Sequence, residues 1–224
     1  MKTPVVDYRK LRLSNLNSPE FSHLKLLLGW VGYFILYFLT ENLIPAERCF
    51  PVHCFLDDII PFCEYFLIFY TFWYLLIVVS LGYFLLYDIE SFKSLQTYII
   101  ITQVVAMFIY IVFPNRQDLR PTEFARDNFL TRLMGFIYSV DTSTGVCPSL
   151  HVAYSLGIAS TWLKVKDVPR WVKVFVTVMV SFICISVAFV KQHSVVDIFA
   201  ALPVGLLAEW IVFRKYWRSR RKKV

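Results

Sequence analysis

The chain has 224 residues, of which 58% are hydrophobic and 17% charged, and its formal net charge is +7. A soluble domain is nearer half apolar and about a quarter charged, so the composition points to an all-α polytopic membrane protein of one domain. The positive charge does not indicate nucleic-acid binding, because the basic residues collect at the ends and in short loops and no recognition fold is visible.

Residues 1–23 are polar and basic. They lack the apolar core and small-residue cleavage site of a signal peptide, so the first apolar run is expected to stay as an anchor. Six apolar runs follow, at roughly 24–44, 62–87, 95–113, 149–164, 172–190 and 194–213. A spanning helix needs about 20 such residues, and the fourth run is the shortest. Cys49 and Cys54 sit close together in an outer loop and invite a disulfide. None of the five cysteines shows zinc-finger spacing with a histidine. Between the third and fourth runs lies a long loop, 114–148, rich in arginine and aromatic residues; it predicts a short interfacial helix around 122–138.

The basic flanks set an orientation. With the N-terminus inside, seventeen of the 23 lysines and arginines fall inside and six outside. The expectation is a six-helix bundle over 24–213, with a cytoplasmic segment 1–23 and a basic cytoplasmic tail 214–224 facing anionic lipid heads. Loop 114–148 then lies outside, and a plasma membrane is the expected location.

Three stretches could carry chemistry. In KQHSVVD, His193 and Asp197 are four apart, so on a helix they share a face. The carboxylate can fix the ring tautomer and leave the other nitrogen free as nucleophile or base. The alternative is a structural bond at a helix entrance. In CPSLH, Pro148 suits a first helical turn, Ser149 can cap, and His151 lies within that turn at an end that favours anions. Taken alone, His151 reads as packing. In NRQDLRP, Arg116 and Arg120 are four apart and can fork onto phosphate, or else pair with Asp118, Glu123 or Asp127. Arg126 and Arg132 read as structural or lipid-facing. All three stretches fall on one side in the six-span arrangement. Two histidines, a carboxylate and one or two arginines at one interface suit phosphoryl transfer.

At these positions the chain resembles the type-2 phosphatidic acid phosphatase superfamily of membrane lipid phosphatases and phosphotransferases. Arg120-Pro121 match the end of its first motif. Pro148-Ser149-Leu150-His151 match the second, with Leu150 where glycine is usual. Ser186, His193 and Asp197 match the third at the family's spacing, and the resemblance covers roughly residues 60–213. Two basic positions depart, being Phe113 and Val187; Arg116 and Lys191 are the nearby substitutes. The resemblance implies a phosphohistidine at His193, Asp197 orienting it, and His151 as acid and then base. Arg120 and the Ser149 helix end would hold the phosphoryl oxygens. It implies no metal and no cofactor, and a lipid phosphate or diphosphate as substrate. The Pro-Ser-Leu-His form is similar to the inositol phosphorylceramide synthase branch, where an alcohol rather than water accepts the head group. A non-catalytic transporter or scaffold on the same fold is the reading from another class.

Overall fold

The computed structural model describes residues 3–221. The chain is all-helical apart from one two-residue strand pair. Helix α1 is Leu28–Leu43, α2 Phe55–Ile59, α3 Leu67–Tyr87, α4 Ile89–Val112, α5 Phe129–Val140, α6 Leu150–Lys164, α7 Arg170–Phe189 and α8 Val195–Arg221. Strands β1 (Phe50–Pro51) and β2 (Asn115–Arg116) pair in parallel, Phe50 opposite Asn115.

Among the described residues, five helical segments are long and apolar enough to cross a membrane: Ser22–Leu43, Glu64–Tyr87, Ile89–Val112, Arg170–Phe189 and Val195–Arg214. The fourth expected span is α6. At 15 residues it is roughly 22 Å long, short of the ~30 Å hydrocarbon core. Its place in the bundle explains why so short a helix is stable. It packs against α3, α4, α7 and α8, and nine of its residues are buried, from Leu150 to Trp162. Glycine is required on its α4 face: a Cβ at Gly157 would stand 2.4 Å from the Tyr98 ring. By contrast α1 buries no residue and leans on α4. Its Val31, Phe34 and Phe38 are exposed, as are Val78 and Val79 on α3 and Phe175 and Val178 on α7, in the way lipid-facing residues are.

Three expectations shift. The third span begins at Ile89, six residues early, because Asp88 caps it by accepting bonds from the Ser91 backbone N–H (3.1 Å) and hydroxyl (2.6 Å). Only Asp88 therefore separates α3 from α4. The interfacial helix starts at Phe129 instead of 122, since Asn128 and Thr131 form a reciprocal capping box that sets its start. All five cysteines are free, so Cys49 and Cys54 are not bridged. The expected tail begins inside α8, and its last three residues lie outside the described part.

Candidate functional site

The C-terminal ends of α4 and α7 and the N-terminal ends of α6 and α8 meet at one end of the bundle. Here the chain between α7 and α8 makes a tight turn. Val187 O accepts from both Gln192 N (3.0 Å) and His193 N (3.1 Å), and Lys191 takes a left-handed conformation (φ 53°). Ser194 then caps α8, its Oγ accepting from Val196 N (3.1 Å). Asp197 reaches back to accept from Ser194 N (2.9 Å), which supplies the carboxylate arm of a capping box, while Asp197 N donates to Ser194 O (3.0 Å). His193 stands just before this cap, so it and Asp197 do not share a helix face. The same carboxylate oxygen that caps Ser194 N nonetheless meets His193 Nδ1 at 3.2 Å. A carboxylate can only accept, so Nδ1 carries the proton and Nε2 is left free. Asp197 is fully buried.

The CPSLH stretch is tied to the same point. Ser149 caps α6, its Oγ accepting from Val152 N (3.4 Å), and its N–H donates to Asp197 O (3.1 Å). Pro148 therefore lies before the cap and not in the first turn. Asn115 holds the approach: its Oδ1 accepts from Val146 N (2.9 Å) and Cys147 N (2.8 Å), while its Nδ2 donates to Cys147 O (3.0 Å). Tyr110 Oη donates to Pro148 O (2.7 Å). The Cys147 thiol is pushed up to about 12 by burial and by the charge of Asp197, so it stays neutral. His151 is packed between the rings of Tyr70 (4.6 Å) and Trp73 (4.0 Å), and its ring lies 5.6 Å from that of His193. Its Nε2 has no hydrogen-bond partner.

The three expected basic ligands are engaged elsewhere. Arg120 donates from Nη1 to Tyr138 O (3.1 Å) and Asp141 O (2.8 Å), and from Nη2 to Thr142 O and Gln192 Oε1 (both 2.7 Å). It thus clamps the end of α5 to the turn before His193; its Nε is buried without a partner. Arg116 pairs with Asp118 (3.1 Å) and Ala46 O (2.6 Å) beside the strand pair. Lys191 turns away to α2, donating to Asp57 O (2.7 Å) and Ile60 O (2.5 Å). Burial lowers the Lys191 pKa, with Asp57 and Asp58 opposing. At the departing positions, Val187 is fully buried in the core and Phe113 packs against Phe50 at 5.4 Å.

Two carboxylates missed by the sequence reading stand close by. Asp57 accepts from Ser194 Oγ (2.5 Å), Val195 N (2.8 Å) and Cys54 N (2.8 Å), so α2 grips the start of α8. Burial pushes its carboxyl up, but these bonds outweigh it and the pKa is lowered. Asp141 accepts from Gln192 Nε2 (3.1 Å) and Tyr37 Oη (3.4 Å); burial raises its pKa against the pull of Arg120 and His193. Neither stands in a motif spacing. The signal available was a carboxylate beside an apolar run, which is costly unless bound.

His151 and His193 open onto a cleft of about 520 Å³ between α1 and α3. Its walls are largely aromatic and aliphatic, including Trp30, Tyr33, Trp73, Tyr74, Ile77 and Leu81, with Asp141, Thr142, Thr144 and Gln192 among the polar groups. Among the described residues no group of three or more His, Cys, Asp or Glu is placed to hold a metal ion. No family model, no curated protein and no solved structure matches the chain.

Proposed function

We propose that the chain is a membrane-embedded phosphoryl-transfer enzyme acting on a lipid phosphate or diphosphate through a phosphohistidine at His193. The observation that carries this is an oriented, Nε2-free His193 facing a second histidine at the polar end of a lipid-sized apolar cleft. The Nε2 lone pair of His193 attacks phosphorus. The bond to the leaving alkoxide breaks, and its electron pair takes a proton from His151. In the second half, water or an alcohol gives its proton to His151, its oxygen attacks phosphorus, and the N–P bond returns its pair to His193. Asp197 stabilises the charged His193 ring. Charge on the phosphoryl oxygens is met by the α6 end capped by Ser149.

In this reading the short α6 is the fourth of six spans, both termini are cytoplasmic, and the site faces outward. Transfer to an alcohol is the second reading, supported by Leu150 lining the cleft and by the scarcity of free cations there. Purified protein in detergent, given labelled lipid phosphates, distinguishes the two: inorganic phosphate is released, or a phosphorylated alcohol forms. The phosphohistidine should be trapped by acid-labile, base-stable labelling that His193→Ala abolishes. A protein whose turnover survives His193→Ala is not this enzyme.

A further inference from the structure

The cleft's mouth is unusual for a phosphate site. Among its lining residues the charged side chain besides the two histidines is a carboxylate, that of Asp141. Glu41 stands behind Thr144, which donates to Glu41 Oε1 (2.9 Å) and lies 3.2 Å from Thr142 Oγ1. The second oxygen of Glu41, Oε2, is buried with no partner. Arg120 lies behind Asp141 but spends its terminal nitrogens on carbonyls and on Gln192. Lys191 and Arg116 face elsewhere. Around Asp141 stand tyrosines: Tyr37 bonds it, and Tyr33 packs on Tyr37 at 5.8 Å. Tyr74, from α3, lines the same cleft and stands 6.3 Å from the His151 ring.

Carboxylates beside several aromatic faces, with no free lysine or arginine, bind ammonium and quaternary ammonium groups. A doubly charged phosphate monoester would meet repulsion from Asp141, whereas a diester carries one negative charge and can extend a cation toward it. We propose that the site takes a zwitterionic phosphodiester lipid, with the phosphate at His151 and His193 and an ammonium head group at Asp141, Tyr33, Tyr37 and Tyr74. This names a phosphodiester as the donor in the second, alcohol-transfer reading above, in place of a phosphate monoester, and depends on phosphoryl transfer only for the step after binding.

The test is binding to His193→Ala protein in dodecyl maltoside, measured by calorimetry with dioctanoyl phosphatidylcholine, phosphatidylglycerol and phosphatidic acid. The expected result is at least about tenfold tighter binding of the choline lipid than of the glycerol lipid, which shares its tails and phosphate charge. Asp141→Asn should reduce that preference to near parity. Tyr74→Leu, at a half-exposed position that cannot upset the core, should reduce it too. Equal or tighter binding of the glycerol lipid or phosphatidic acid overturns the proposal, as does a preference unchanged in both variants. If the preference holds but wild-type protein transfers no phosphoryl group from any lipid, the binding proposal stands and the enzymatic reading falls. If phosphatidic acid turns over with no choline preference, the reverse is true.

Discussion

Replacing Arg120 tests whether this residue is a clamp. In the structure its four terminal N–H groups bind Tyr138 O, Asp141 O, Thr142 O and Gln192 Oε1, and its guanidinium lies 4.7 Å over the Tyr138 ring. At about 1 kcal/mol net per hydrogen bond, Arg120→Ala should cost about 4 kcal/mol. A chain of this size loses about 2–4 °C in Tm per kcal/mol, so a fall of about 8–16 °C is expected in a detergent thermal shift. Arg120→Lys keeps the charge but has three donors on one nitrogen, and cannot serve four acceptors spread over α5 and Gln192. It should lose most of the same stability. A residue that merely contacts a phosphoryl oxygen would behave otherwise, lowering turnover while leaving Tm in place. If both variants melt within about 2 °C of the wild type, the clamp is refuted.

Asp197→Asn keeps the shape but removes the charge that orients His193; a charged hydrogen bond of about 1.5–3 kcal/mol corresponds to a loss of about 10- to 150-fold in kcat. Unchanged kcat in single-turnover assays would remove Asp197 from the mechanism. Gly157→Ala should destabilise by about 1–3 kcal/mol, since the Tyr98 ring it would strike is itself buried, and chemical denaturation measures this. Asp57 has a folded pKa below the ordinary 3.8, so its stabilisation is present above that value and lost as pH falls through the folded pKa. The Tm gap between wild type and Asp57→Asn should therefore be wide at pH 7 and shrink on acidification below about pH 4; a gap that stays constant sinks the assignment. For orientation, a cysteine at exposed Asp118 in a cysteine-free background should react with an impermeant reagent in intact cells, and one at exposed Lys166 only after permeabilisation. The opposite pattern inverts the topology.

Apolar run length was the most readable signal. It located the five helical segments long enough to cross a membrane and the shorter α6, because a segment buried in lipid or in the bundle centre must be apolar nearly throughout. Boundaries depended on caps, and Asp88 and Asn128 moved two of them. At the candidate site, the spacing of His193 and Asp197 was informative although the geometry behind it differs: the carboxylate that caps Ser194 N, not a shared helix face, brings them together. The arginines and Lys191 were opaque for a definite reason. Their acceptors are mostly backbone carbonyls, from Ala46, Asp57, Ile60, Tyr138, Asp141 and Thr142, and a carbonyl leaves no mark on residue identity. Asp57 and Asp141 act across separations of 137 and 51 residues, on Ser194 and Gln192, which no local pattern encodes.

The loose attachment of α1 separates two properties of the protein. Every hydrogen bond that sets His151, His193 and Asp197 in place comes from α4, α6, α7, α8 or the segments between them, with α2 gripping from behind. Helix α1 supplies a wall of the cleft and little of the frame. The wall that carries Tyr33 and Tyr37 can therefore be rewritten by exchanging one helix, while the frame around His151, His193 and Asp197 is left standing.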